Sequence, residues 1–215
     1  MSDLIYTLLS DGSSDSALMP ILTWLLQANG VQCAIHGQWA ELRWLRRPPA
    51  ALAARLRLAV DLFPCELLFV HRDAEAMPRE SRHNEIRSAV AEAFDNVNLL
   101  PWIPVIPVRM REAWLLFDEI AIRKAAGNPS GRVPLELPRL ARCEDLPDPK
   151  ALLEDILRSA SGLSARRRAK LRVDTMMRRI PEYAREFSSL RALPAFAALE
   201  GELQNAVTAN GWNRR

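Results

Sequence analysis

The feature that most constrains this fold is a short apolar run that ends in acidic residues. Residues 66–75 have the sequence Glu-Leu-Leu-Phe-Val-His-Arg-Asp-Ala-Glu. Such a run is typical of a parallel strand buried on both faces, which delivers the residues after it to the carboxyl edge of the sheet, where α/β proteins place ligands. Asp73 and Glu75 follow it, and neighbouring carboxylates repel each other unless a proton or a cation lies between them. They therefore mark a candidate site, although a solvated strand exit is an equally ordinary explanation.

Strand-like and helix-like segments alternate through the first half of the chain. Further strands are predicted at residues 4–9, 31–36 and 102–108. The last is predicted to lie at an edge of the sheet or to be irregular, because Pro104 and Pro107 cannot donate ladder hydrogen bonds. Amphipathic segments separate the strands, one of them over residues 78–94. The alternation predicts an α/β fold with a parallel sheet of about four strands and helices on both faces.

The second half of the chain has a different character. Residues 127–149 are rich in proline and predict an irregular loop of unusual length. Asp148-Pro149 is typical of a helix start, and helical spacing continues to the C-terminus. We therefore predict an α/β core over residues 1–127, with a proline-rich loop and a helical extension packed on it over residues 128–215.

Bulk composition narrows the class of protein but does not identify it. The 215 residues carry a net charge of +3 and include three scattered cysteines without CxxC spacing. This cysteine pattern argues against a disulfide framework or a zinc site and favours a cytoplasmic location. We expect no signal peptide and no interaction with a membrane, because the sequence lacks both a basic start followed by an apolar core and a long apolar stretch.

Acidic residues follow three of the four predicted strands. Asp11, Asp73 and Glu112 come after the first, third and fourth strands, and Asp15 follows Asp11 by one helical turn. Because parallel strands end at the same edge of a sheet, these side chains and Glu75 are expected to converge. Several carboxylates at one edge suit a hard divalent cation such as Mg²⁺ or Mn²⁺, which can activate water or stabilise a phosphoryl transition state.

Each of these residues also has an ordinary structural explanation. Asp15 can complement a helix dipole, Asp11 before a glycine is a common turn residue, and Glu112 can pair with Arg109 or Arg111. His36 and His71 also lie near strand ends, where a structural role is the more common one.

The segment from residue 164 to residue 191 is strongly basic, with nine basic and three acidic residues. Such a cluster can neutralise the phosphates of a nucleic acid. Its first part predicts the contacts Arg166, Arg167, Arg168 and Lys170. The alternative is a solvated helical face with local ion pairs.

These motifs together carry a resemblance that spans most of the chain. An acid-Gly turn after the first strand and an acid-x-acid pair after the third resemble the Toprim fold, and the spacing of Asp11 and Asp15 is similar to that in the overcoming-lysogenization-defect nucleases. The segments Glu-Ala-Trp-Leu-Leu-x-Asp (residues 112–118) and Phe-Ser-x-Leu-Arg-x-Leu-Pro-x-Phe (residues 187–196) resemble a family of small Toprim-like proteins of unassigned function.

The resemblance implies one of two functions. The first is a Mg²⁺- or Mn²⁺-dependent nuclease or phosphotransfer protein, with catalytic and metal-binding roles at Asp11, Asp73, Glu75 and Glu112 and a supporting metal contact from Asp15. The second is a non-catalytic subunit that docks an ATPase or nucleic acid, because such relatives often accompany an ATPase in phage-defence operons. Asp11 stands where Toprim proteins usually carry Glu, and Glu75 where they usually carry Asp. These departures favour the second function, and the retained order of acids favours the first.

Overall fold

The protein is described from a computed structural model, which covers residues 3–12, 14–94 and 100–213. The strands in this part of the chain are β1 (Leu4–Leu9), β2 (Ile35–Ala40), β3 (Leu67–His71) and β4 (Trp102–Val105). The helices are α1 (Met19–Ala28), α2 (Leu52–Leu62), α3 (Arg79–Ala93), α4 (Glu119–Ala125), α5 (Pro149–Ala160), α6 (Ala165–Arg168), α7 (Val173–Tyr183) and α8 (Pro194–Ala209).

The four strands form one parallel sheet in the order β2-β1-β3-β4. The predicted α/β class, with its parallel sheet and C-terminal helices, is confirmed. β4 lies at an edge, as its prolines predicted, but it ends at Val105 and does not reach residue 108. The loops that follow β3 and β4 continue to pair with each other beyond the sheet. Ala74 donates its backbone N–H to the Pro107 carbonyl at 3.0 Å.

The second strand lies four residues later than the sequence predicted. Residues 31–36 were expected to form it, whereas β2 spans Ile35–Ala40. Its register with β1 pairs Leu4 with Ile35 and Leu9 with Ala40. Gly37 lies inside this strand, where glycine is uncommon, so the sequence pattern does not indicate a strand at this position. It is required there because a Cβ atom would lie only 2.5 Å from the hydroxyl oxygen of Tyr6.

The sheet is covered on both faces, because alternate residues of its central strands enter two different hydrophobic clusters. Leu67 and Phe69 of β3 pack into one cluster, with residues of α1, α5, α7 and α8. Leu68 and Val70 pack into the other, with α2 and α3. Since β3 is buried along its whole length, its acidic exit follows directly on a strand that belongs to the core.

The segment after β4 does not form one continuous helix. Residues 109–118 have helical spacing, but they form a 3-10 turn over Arg111–Leu115, and α4 begins only at Glu119. The 3-10 turn ends at Leu115, and Asp118 caps α4, since its carboxylate accepts the Ala121 N–H at 3.0 Å. Ile120, the second residue of α4, is 66% exposed even though it follows the helical apolar spacing of this segment.

The helices of the second half pack onto the sheet through a shared hydrophobic cluster. Trp114 and Phe196 are fully buried there, with ring centroids 5.3 Å apart and planes at 81°. Asp148 caps α5 as predicted, accepting the Ala151 N–H at 2.9 Å. Among the described residues, none of the helices has both the length and the apolar character needed to cross a bilayer.

Candidate functional site

A cleft of ≈ 240 Å³ lies at the carboxyl ends of β1 and β3. It is lined by Asp11, Gly12, Asp15, His71, Arg72, Asp73, Glu75 and Arg82. The structure therefore brings together four of the five acidic residues that the sequence singled out. Asp11 follows β1, and Asp73 and Glu75 follow β3. Arg82 comes from the first turns of α3.

Asp15 is buried at the back of the cleft and held by two donors. Its Oδ2 accepts the Gly12 N–H at 2.7 Å, and its Oδ1 lies 3.0 Å from Nε of Arg111. A Cβ atom at position 12 would lie 2.9 Å from the Asp15 carboxylate, so any residue larger than glycine there would displace Asp15. Asp15 thus does more than complement a helix dipole. The Asp11-Gly12 turn holds its carboxylate in place through the Gly12 N–H.

Arg111 is a buried cation behind the acidic cleft, with 4% of its surface exposed. Besides Asp15, its guanidinium contacts Glu112 Oε1 at 2.7 Å and the Ser14 carbonyl and hydroxyl oxygens at 2.8 Å each. Glu112 is buried by this pairing and does not line the cleft. The pairing of Glu112 with Arg111, which the sequence offered as an alternative to a metal role, is therefore present.

Asp11 at the rim of the cleft is also paired with arginines. Its carboxylate contacts Arg55 from α2 and lies 2.7 Å from Nε of Arg72. Arg72 in turn lies 3.1 Å from Glu85 on α3. These contacts join the exits of β1 and β3 to the two helices on that face of the sheet.

Asp73 has the most perturbed acid–base chemistry in the cleft. Burial raises the pKa of its carboxyl to about 6, and the negative charges of Glu112 and Asp15 add to the rise, whereas His71 and Arg111 oppose it. Its Oδ1 accepts the backbone N–H of Arg111 at 2.9 Å. This carboxylate is therefore poorly compensated, as expected for a group that would gain from a nearby cation.

Glu75 lies at the open side of the cleft, with 70% of its side chain exposed. Its backbone is in the left-handed region at φ 55°, and so is that of Arg109 at φ 58°. The two residues face each other, since Glu75 donates its N–H to the Arg109 carbonyl at 2.9 Å. Left-handed backbone at ordinary residues is uncommon and concentrates at functional sites.

His71 lies between two of the carboxylates, although its sequence position favoured a purely structural role. Its Nδ1 lies 2.9 Å from the Val105 carbonyl oxygen, which can only accept a hydrogen bond, so Nδ1 is the donor. Its Nε2 lies 3.8 Å from Asp15 Oδ2 and 3.7 Å from Asp73 Oδ1. Nε2 is therefore the ring nitrogen that can exchange a proton within the cleft.

The residues that sequence reasoning missed are the arginines. Arg55, Arg72 and Arg111 supply the charge that the cleft acids need, and Arg82 adds a further cation to the lining. Only Arg111 was considered, as a partner of Glu112. The sequence could have indicated Arg72 as a site residue, because it lies between the buried strand and Asp73. Nothing in the sequence links Arg55 to Asp11, which is 44 residues away.

The cluster predicted to bind nucleic acid lies apart from the cleft lining. Arg166, Arg167 and Lys170 are exposed on or just after α6, and Arg168 is half-buried. The Arg168 carbonyl accepts a hydrogen bond from Arg158 at 2.8 Å.

Within residues 3–12, 14–94 and 100–213, no three His, Cys, Asp or Glu side chains are grouped so that they could hold a metal ion. The metal site that the sequence predicted is therefore not present as a preformed group of ligands in the described part of the chain. No protein family, curated protein or solved structure matches this chain.

Proposed function

We propose that this protein is a Toprim-like, Mg²⁺- or Mn²⁺-dependent nuclease or phosphotransfer protein that acts in the cleft at the sheet edge. The observation that carries the proposal is the cleft itself. Asp11, Asp15, Asp73 and Glu75 line it together with a histidine and two arginines. This combination offers oxygen ligands for a hard cation, donors for a phosphate and a proton carrier.

The donor chemistry fits a divalent cation, whereas the present contacts favour arginine. Asp15 and Asp73 would hold the ion, with Asp11 and Glu75 as the other carboxylates of the lining. The raised pKa of Asp73 supports this assignment, because it reflects the burial of a carboxylate beside the negative charges of Glu112 and Asp15. Binding at Asp15 would compete with its 3.0 Å contact to Arg111.

A bound Mg²⁺ would lower the pKa of a water molecule and stabilise charge on the reacting phosphate. The side chains around it have separable tasks. Arg72 and Arg82 would bind phosphate oxygens, and Nε of Arg82 is buried without a hydrogen-bond partner among the described residues. In hydrolysis the water oxygen bonds to phosphorus while the bond between phosphorus and the ester oxygen breaks, and the departing oxygen takes up a proton from solvent water. Nε2 of His71 can accept the proton that the water loses.

The proposal is tested by incubating the protein with labelled single-stranded and double-stranded DNA and RNA, in Mg²⁺, in Mn²⁺ and in EDTA. We expect cleavage only with metal, loss of cleavage in Asp73→Asn, and unchanged cleavage in Asp145→Asn, whose carboxylate pairs with Arg142 on the surface. Wild-type protein should also melt at a higher temperature in millimolar Mn²⁺ than in EDTA. Absence of both effects would contradict the proposal.

A second candidate function is supported by the arginine pairs. Because Asp11, Asp15 and Glu112 already have guanidinium partners, the acids could serve as a structural network in a non-catalytic subunit that docks an ATPase or nucleic acid. This candidate predicts no metal response and no cleavage. It also predicts that the exposed Glu75 contributes to partner binding without contributing to any reaction.

A further inference from the structure

We infer that a second depression next to the cleft, which we call the basic groove, binds the phosphates of a nucleic-acid strand whose reacting phosphate lies in the cleft. The inference rests on the proposed function and assigns its substrate class and path. The basic groove has a volume of ≈ 510 Å³ and is lined by residues of α5, by the segment before α7 and by the first turns of α7. The lining residues used below are Ser14, Lys150, Glu154, Arg158, Arg172 and Arg178.

The charge of the basic groove is positive and mostly uncompensated. Of its four cations, Arg158 lies 3.8 Å from Glu154. Within the described part of the chain, Lys150, Arg172 and Arg178 have no carboxylate within ion-pair distance. Lys150 and Arg172 are exposed and Arg178 is half-buried, so all three can reach a ligand. Phosphate oxygens are the ligands that such a set binds best.

The helix that forms one wall adds to this field. α7 has 11 residues, and its N-cap residue Arg172 makes no side-chain capping hydrogen bond. Val173, Asp174 and Thr175 in its first turn line the basic groove. Free N–H groups and the positive end of the helix dipole favour an anion there. Asp174 opposes part of this effect, so the helix end supports the arginines and does not make the site alone.

Ser14 connects the basic groove to the cleft. It lines the basic groove, and its carbonyl and hydroxyl oxygens accept hydrogen bonds from Arg111 at 2.8 Å each. The same guanidinium contacts Asp15, which lines the cleft. α7 also packs against the 3-10 turn that begins at Asp15. A strand that passes over Ser14 would therefore contact both depressions.

This placement shifts the expected contacts along the chain. The sequence pointed to the densest basic run, residues 166–170, but none of these residues lines the basic groove or the cleft. Arg172 and Arg178 belong to the same basic segment and do line the basic groove. Substituting Arg172 and Arg178 should therefore weaken binding, whereas substituting Arg166 and Arg167 should not. The two double variants are matched, because each removes two arginines from the same basic segment.

The test measures binding of a fluorescein-labelled single-stranded DNA by anisotropy, in EDTA, over a series of KCl concentrations. The Arg172→Ala/Arg178→Ala variant should bind more weakly and lower the slope of log K against log salt by about 1.4, since each lost phosphate contact removes about 0.7 for a single strand. The control variant Arg166→Ala/Arg167→Ala should keep the wild-type slope. Thermal melts of both variants establish that each is folded.

Four results would overturn the inference: an unchanged slope in the Arg172→Ala/Arg178→Ala variant, a slope lowered only in the control variant, no binding of DNA by the wild-type protein, or binding of ATP at Arg172 and Arg178 without binding of DNA. The last result would assign the basic groove to a free nucleotide. Because the assay contains no metal, it is separate from cleavage. Binding through the groove without cleavage would contradict only the nuclease, and cleavage with unchanged slopes would contradict only the groove.

Discussion

Nε of Arg111 lies 3.0 Å from Oδ1 of Asp15, and both side chains are buried. The same guanidinium lies 2.7 Å from Glu112, so one cation serves two buried carboxylates. Removing one partner of a buried ion pair is strongly destabilising, because the remaining charge is left without compensation. In this structure Arg111 therefore neutralises the charge of Asp15, which the proposed function assigns to a divalent ion.

We predict that Arg111→Met lowers the free energy of unfolding by about 3–5 kcal/mol in EDTA. Methionine keeps much of the side-chain volume but leaves Asp15 and Glu112 without a counter-charge. Urea denaturation followed by circular dichroism measures the change. A loss below about 1 kcal/mol would mean that the two carboxylates are stabilised by other contacts.

We predict further that Mn²⁺ raises the melting temperature of Arg111→Met more than that of the wild-type protein. Removal of the guanidinium leaves Asp15 free for an ion, and an ion that binds only the folded state stabilises it. Arg123→Met is the matched control, because Arg123 is buried and paired with Glu119 away from the cleft lining. Equal metal responses in the three proteins would contradict the assignment of Asp15 as a metal ligand.

The raised pKa of Asp73 predicts a pH-dependent effect on stability. Burial raises this pKa from 3.8 to about 6, so the folded state binds a proton more tightly than the unfolded state. The stability that the protonated group contributes is present at low pH and is lost as pH rises to about 6. Asp73→Asn should therefore stabilise the protein by about 1–2 kcal/mol near pH 7.5, a value reduced for partial exposure, and change little near pH 4.

Asp11→Asn is the matched comparison for this experiment, because it is the same substitution at the rim of the same cleft. Asp11 contacts two arginines, so loss of its charge should destabilise the protein near neutral pH, by less than about 1 kcal/mol given its exposure. Thermal melts at both pH values, in EDTA, measure both variants. Shifts of the same sign at neutral pH would contradict the charge distribution described above.

The sequence predicted those parts of the molecule that depend on local pattern. β1 and β3 are apolar runs, and α3 begins after Pro78 as its spacing indicated. β2 was misplaced because its position is set by register with β1, and its Gly37 is required by a neighbouring side chain. Convergence of the acids followed from the parallel topology, but their arginine partners are distant in sequence. Arg111 and Ser14, for example, are separated by 97 residues.

The left-handed backbone at Arg109 predicts an unusual ranking of substitutions. Its φ is 58° and its side chain is exposed, so a substitution there mainly changes backbone strain. Arg109→Gly should be at least as stable as wild type, whereas Arg109→Val should lose about 1–2 kcal/mol. Arg132→Val at an exposed position without this strain should change stability by less than about 0.5 kcal/mol. Urea denaturation tests the ranking, which a fully stable Arg109→Val would contradict.

The contact between Trp114 and Phe196 tests whether residues 1–127 and 128–215 unfold together. Each segment contributes one of these fully buried rings, which meet edge to face at 5.3 Å in the shared hydrophobic cluster. Phe196→Ala should therefore cost about 3–5 kcal/mol, since it removes a large buried side chain and leaves a cavity. Because the cluster joins both segments, tryptophan fluorescence and circular dichroism should report one urea transition, and the substitution should shift that transition by the same amount in both signals.

Ile120→Ala is the control, since it lies at a position that is 66% exposed and should change stability by no more than about 0.5 kcal/mol. Two separate transitions, with only the helical segment destabilised by Phe196→Ala, would instead mean that the C-terminal helices fold independently of the sheet.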